Sequence, residues 1–193
     1  MLLPGSKSTR ADLAQLFAEG WDIDIKAHLR RGGSLLGLCG GYQMLGCTIA
    51  DPDGIEGRAG TSEGLGLLDV ATVLAGAKRL EAVRGHEVAS GEELHGYEMH
   101  MGATEGPDRV RPMLELSHGP EGACSANGKI AGSYVHGLFA ADGFRHAFLG
   151  RLAARRRSPL VWETSIDKTL DALARHLEKA LDLDRLLEIA RAA

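Results

Sequence analysis

The chain has 193 residues, of which 44% are hydrophobic and 25% charged, with a formal net charge of −4. That length supports a core burying roughly 70% of the surface an unfolded chain exposes, and the charge balance excludes the general basic surface that nucleic acid or an anionic membrane would require. There is no apolar run of membrane-spanning length and no charged-then-apolar leader, and the three cysteines lack CxxC spacing, so a cytoplasmic protein without a disulfide framework or thiolate zinc site is expected.

The segment STRADLAQLFAEG predicts a first helix: Thr9 is placed to cap it, Asp12 stands near its positive end, Leu13, Leu16 and Phe17 share a face, and Gly20 can end it. A second short helix is expected over residues 23–31, stopped by Gly32 and Gly33. SLLGL follows as a brief apolar strand, and helical spacing returns from Tyr42. Residues 51–66, rich in Gly, Asp and Glu, read as a long loop; LGLLDVATVLA resumes β character through Leu67, Leu68, Val70 and Val73. Between Lys78 and Leu116, strands are expected at 80–83 and 97–101. Asn127-Gly128 predicts a tight hairpin turn with two positive φ angles, followed by a strand over 130–135 that ends at His136. The run Arg155, Arg156, Arg157 reads as a solvated helix end. Residues 166–192 form an amphipathic helical pattern through Leu170, Leu173, Leu177, Leu181, Leu186, Leu187 and Ala190. Helix, strand and helix in this order predict an α/β fold: an open, mostly parallel sheet flanked by helices, with a β-hairpin and a C-terminal helix, in a single domain over 1–193.

The stretch Gly37-Leu38-Cys39-Gly40-Gly41 sets one thiol between glycines at a strand-to-helix junction. This is the thiol form of a nucleophile elbow, whose sharp turn holds the nucleophile in a strained conformation above the sheet. The helix that begins after Cys39 directs unpaired N–H groups and a positive dipole end at the sulfur, which favours the thiolate; the N–H of Gly40 is also placed to stabilise an oxyanion. The competing reading is a buried structural cysteine. A cysteine nucleophile needs a base, which can be distant in sequence. His136 stands out because it ends a predicted strand, where the loops of an open α/β sheet gather; a structural histidine at a strand end is the alternative. Cys47 is expected as a small core residue on the helix after Cys39, and Cys124 as a hairpin strand residue. His95 and His100 lack a third ligand, so no metal site is expected, and PGSKST does not satisfy the phosphate-loop spacing.

The G-x-C-x-G-x-Q pattern of Gly37 to Gln43 resembles the signature of class I glutamine amidotransferases, which have a flavodoxin-like sheet. More narrowly, LPGSKST, LLGLCGGYQMLG, DPDGIEG, GLGLLDVAT, GYEMHMG and GSYVHGLF are similar, in order, to the C-terminal glutaminase domain of the cobyric acid synthase family, covering residues 2 to about 140. The resemblance implies glutamine hydrolysis through a thioester on Cys39, with His136 as general base and then acid. It implies an oxyanion hole from the backbone N–H groups of Gly5 and Gly40, and a role for Gln43 in holding substrate glutamine. Tyr97, Glu98 and His100 lie where that family lines its pocket. The ammonia would pass to an ATP-dependent synthetase domain, which would hold ATP and Mg and amidate corrinoid carboxylates in cobalamin synthesis; no cofactor is expected in this chain. The wider class has His-x-Glu, where the Glu orients the imidazole, but Leu138 stands at that position and leaves a dyad, as in cobyric acid synthases. A backbone carbonyl or water is then expected to fix the imidazole tautomer. The start at MLLPG falls where the family carries earlier strands and the synthetase domain, so a fragment, one part of a split enzyme, or a truncated product needing a partner is expected. Alternative functions are a glutaminase subunit for another acceptor, such as a cell-wall lipid precursor, or a non-catalytic remnant.

Overall fold

A computed structural model of the chain describes residues 1–76, 79–154 and 156–192. Lys78 and Arg155, which the sequence reading places at the start of a β segment and in a basic run, lie outside the described residues. Where the sequence reads as one domain, the contacts divide the chain into two compact units, Met1–Arg155 and Arg156–Ala193.

The first unit runs β1 (Leu2–Leu3), α1 (Thr9–Ala18), α2 (Trp21–Arg30), β2 (Leu35–Leu38), α3 (Gly40–Leu45), β3 (Thr48–Asp51), β4 (Gly60–Glu63) and β5 (Ala71–Val73). It continues through β6 (Arg79–Glu87), β7 (Glu93–His100), β8 (Ala103–Glu105), β9 (Leu114–Leu116), β10 (Gly119–Glu121), β11 (Ala123–Cys124), β12 (Ile130–Ser133), β13 (Val135–His136) and α4 (Asp142–Leu152). The strands form three sheets, ordered β1-β2-β12-β11, β10-β9-β6-β7-β13 and β4-β3-β5-β8. The fold is α/β, and parallel pairing holds for β1 with β2, β2 with β12, and β3 with β5. The other pairs are antiparallel; where a short turn joins two strands, as between β6 and β7, it cannot make the long crossover a parallel pair needs.

The core lies on both sides of β2. Successive side chains of a strand point to opposite faces, so Leu35 packs with Leu13, Leu16, Ile25, Tyr42, Leu45 and Ile49, while Leu36 packs with Val83, Leu94, Leu114, Val135, Leu138 and Phe144.

Three local features of the first unit differ from the sequence reading. The loop over 51–66 contains β4, which pairs with β3. At the Asn127-Gly128 turn only Gly128 takes a positive φ, 67°; the loop is closed by Gly128 N–H donating to the Ser125 carbonyl (2.9 Å), and Asn127 Oδ1 accepts from Lys129 N–H (3.0 Å). The side chain of Asn127 thus does what a second positive φ would have done. The strand over 130–135 breaks at Tyr134, leaving β12 in one sheet and β13 in another. The buried carboxylate of Glu121 causes the break by accepting from Tyr134 N–H and from the Ser133 hydroxyl, each at 2.7 Å, which removes that N–H from the ladder.

In the second unit the helical pattern divides into α5 (Trp162–Ala180) and α6 (Leu183–Ala192). Asp182 starts the new helix as its cap, its carboxylate accepting from Arg185 N–H at 3.0 Å. No helix among the described residues is long and apolar enough to cross a membrane.

Candidate active site

The elbow is set by three backbone constraints. Cys39 N–H donates to the Ser133 carbonyl at 2.8 Å, completing the parallel ladder, while its own carbonyl accepts from Gln43 N–H at 3.2 Å and opens α3. Strand must become helix within one residue, and Cys39 takes φ 53°, ψ −113°, making it the one described non-glycine residue with positive φ. The third constraint is Gly41: a Cβ there would lie 2.2 Å from the Leu3 carbonyl oxygen, so glycine is what lets α3 sit against the end of β1.

The segment after β1 completes the site. A Cβ built on Gly5 would lie 3.4 Å from Cys39 Cβ and 3.7 Å from His136 Cε1, so one backbone position lies close to both side chains that the sequence singles out, although they are 97 residues apart. A Cβ on Gly40 would lie 2.9 Å from Ser6 N, which places the Gly40 and Gly5-Ser6 backbone segments side by side next to the thiol. Among the described residues, neither Gly5 nor Gly40 N–H donates to a backbone carbonyl. Two free N–H donors beside a nucleophile can bind the oxygen of a tetrahedral intermediate. The Cys39 thiol itself donates to the Met99 carbonyl at 3.5 Å.

His136 comes from β13, where it pairs directly with Tyr97 of β7. The two rings stack with centroids 5.1 Å apart and planes 8° apart. The Nε2 atom of His136 is buried with no hydrogen-bond partner among the described residues.

Gln43 is 3% exposed and stands behind the elbow. Its amide oxygen accepts from Thr9 Oγ1 (3.2 Å), and its NH2 donates to the Met101 carbonyl and to Tyr134 Oη, each at 3.2 Å. Tyr134 continues the chain to Thr104 at 2.5 Å, and burial pushes its phenol above the ordinary range, so it remains a neutral hydroxyl. Gln43 therefore ties α1, α3, the end of β7 and the β12-to-β13 link into one network.

Two groups behind the elbow have partners that the sequence reading did not foresee. Thr9 is the first residue of α1, not its cap, because its hydroxyl is directed to Gln43 Oε1 and to Glu56 Oε1, both at 3.2 Å. Glu56 belongs to the DPDGIEG loop, which Asp51 folds by accepting from the N–H groups of Ile55 (2.7 Å) and Glu56 (2.9 Å). Burial alone would raise the Asp51 pKa, but those N–H groups and the Arg10 guanidinium hold its carboxyl below the usual range. A carboxylate followed by Pro-Asp-Gly is the visible sign of such a loop, but the loop's placement against Thr9 is a long-range outcome.

The remaining cysteines stand apart. Cys47 follows α3 and is exposed, which corrects the expectation of a core residue on a helix; the helix ends at Leu45, and the chain turns outward toward β3. Cys124 is on β11 of the hairpin as expected, and burial pushes its thiol up to about 11. Among the described residues no group of three or more His, Cys, Asp or Glu side chains is arranged to hold a metal.

In a comparison against known families, residues 1–144, which hold the elbow and His136, match the CobB/CobQ-like glutamine amidotransferase domain. The chain belongs to this glutamine amidotransferase family. Similar relatives of the amidotransferase include the cobyric acid synthase of Cereibacter sphaeroides strain ATCC 17023, 58% identical over 191 residues, which cover 99% of this chain and 40% of that protein. The cobyric acid synthase of Bradyrhizobium diazoefficiens is 54% identical over 191 residues, covering 99% of this chain and 39% of that protein. The chain thus spans about 40% of the length of these curated relatives. Among solved structures, a crystal structure of a glutamine amidotransferase matches with a TM-score of 0.54 at 20% identity, over 80% of this chain and 78% of that one, a likeness of fold.

Proposed function

We propose that this amidotransferase chain is the glutaminase part of a cobyric acid synthase-like enzyme. The observation that carries the reading is the position of Gly5, where a Cβ would lie 3.4 Å from Cys39 Cβ and 3.7 Å from His136 Cε1. His136 takes the Cys39 thiol proton, the thiolate attacks the side-chain carbonyl carbon of glutamine, and the N–H groups of Gly5 and Gly40 bind the resulting oxyanion. His136 gives its proton to the departing nitrogen as the C–N bond breaks, leaving a thioester on Cys39 and releasing ammonia. Water then adds to the thioester, giving up a proton to His136, and the C–S bond breaks to release glutamate. Gln43 serves substrate binding by holding Thr9 and the Met101 carbonyl in place.

In this reading the ammonia is consumed by an ATP-dependent synthetase domain or subunit, which binds ATP and Mg and holds the corrinoid whose side-chain carboxylates are amidated. The 58% identity to cobyric acid synthase favours that acceptor over a cell-wall lipid precursor. Three free cysteines support a reducing compartment, the cytoplasm.

The test is incubation of the full chain with 6-diazo-5-oxonorleucine, a glutamine analogue, followed by peptide mass spectrometry. The expected result is added mass on Cys39, abolished by Cys39→Ser and slowed by His136→Asn. Labelling confined to Cys47 or Cys124 refutes the assignment.

A further inference from the structure

The dyad lacks the carboxylate that orients the imidazole in His-x-Glu members, and the tertiary structure closes the route by which position 138 would supply one. After His136 the chain turns through Gly137, with φ 84°, into a short 3-10 turn that sends Leu138 inward. Leu138 is 1% exposed and packs in the apolar cluster with Leu94, Val135 and Phe144. A side chain there faces the core, away from the ring. The nearby carboxylate of Glu98 is excluded by register. Directly opposed residues in an antiparallel pair share a face, and Glu98 opposes Val135, whereas Tyr97 opposes His136.

We propose that Tyr97 is the positioning residue for His136, replacing the carboxylate's hydrogen bond with a parallel aromatic stack; this rests on the reading of Cys39 and His136 as the reacting pair. The planes are 8° apart with centroids at 5.1 Å, so the Tyr97 ring restricts rotation of the imidazole about its side-chain bonds without engaging either ring nitrogen in a hydrogen bond. A stack fits a base that must alternate between accepting and donating, since it does not commit either nitrogen to a fixed partner. The backbone is built for the contact. A Cβ at Gly96 would lie 2.1 Å from the His136 carbonyl oxygen, so the glycine just before Tyr97 permits the close approach of β7 to β13 that brings the rings together. Tyr97 is 43% exposed, so its outer face forms part of the surface over the site and its replacement leaves the core intact.

The experiment compares Tyr97→Phe, which keeps the stack and loses the hydroxyl, with Tyr97→Leu, which keeps bulk and loses the stack, both in the full chain. Two readouts are taken: the rate at which 6-diazo-5-oxonorleucine modifies Cys39, and the nitrogen chemical shifts and line widths of the His136 ring by NMR. The expected result is a Tyr97→Phe rate within about threefold of wild type with unchanged ring signals, against a loss of about tenfold or more in Tyr97→Leu with His136 signals broadened or averaged. The proposal is overturned if Tyr97→Leu leaves the ring signals unchanged, or if Tyr97→Phe loses as much as Tyr97→Leu, which would assign the role to the hydroxyl. The NMR readout does not depend on turnover: a wild-type chain that fails to label Cys39 refutes the dyad, while the ring signals still decide whether Tyr97 orders the imidazole.

Discussion

Replacing Cys39 with glycine is expected to stabilise the protein relative to Cys39→Ala while both abolish labelling by the glutamine analogue. Cys39 is held at φ 53°, ψ −113°, a region that residues bearing a Cβ occupy at a cost on the order of 1–3 kcal/mol. Alanine keeps the Cβ and therefore the strain, and loses only the sulfur with its 3.5 Å bond to the Met99 carbonyl. Glycine releases the strain but adds roughly 0.5–1 kcal/mol of backbone entropy to the unfolded state. At an ordinary helix or strand position glycine is the less stable of the two by about that amount. At the elbow the strain outweighs it, and the glycine variant is expected to be more stable by about 1 kcal/mol, a Tm higher by about 2–4 °C for a protein of this size. Thermal unfolding followed by far-UV circular dichroism, with urea unfolding as a second measure, reads the difference directly. A glycine variant melting at or below the alanine variant refutes the argument that the elbow stores strain.

Two further outcomes test the surroundings of the site. Burial, opposed in part by bonds from Tyr134 N–H and the Ser133 hydroxyl, pushes the Glu121 carboxyl up to about 7. Because its folded pKa lies above the unfolded one, the folded state holds a proton that the unfolded state has released, so stability falls as pH rises from the unfolded value to about 7 and is level above it, by about 3 kcal/mol at most. Glu121→Gln, whose amide can serve both Ser133 and Tyr134, is expected to flatten that part of the profile in urea titrations at several pH values; an unchanged slope would assign the dependence elsewhere. Leu138→Glu, which restores the His-x-Glu pattern on paper, is expected to lower stability by at least about 3 kcal/mol and to leave the labelling rate of Cys39 no faster, because the new carboxylate would enter an apolar cluster. A stable variant with accelerated labelling would show that position 138 can reach the imidazole.

Much of the site was legible along the chain because its chemistry is local. Glycines on both sides of one cysteine, between an apolar strand and the first turn of a helix, specify an elbow through backbone sterics alone, and Cys39 adopts the strained geometry that pattern demands. The helices and β2 were equally legible, since side-chain periodicity reports which face is buried. Strand ends were less so. Nothing in the run Ile130 to Val135 announces that the ladder breaks at Tyr134, because the break is made by a carboxylate from a different strand, Glu121. That break moves His136 out of the parallel sheet and opposite Tyr97.

The sequence by itself determined the elbow at Cys39 and the class of fold, because the glycine-flanked strand-to-helix junction and hydrophobic periodicity are written within a few residues of one another. Only the tertiary structure decided what surrounds Cys39 and His136: Gly5 close to both side chains, Gln43 and Thr9 joined behind the elbow, and the Tyr97 ring stacked on the imidazole. Those contacts depend on strand register and on buried polar groups finding partners from distant segments, and both are settled only when the sheets close on one another.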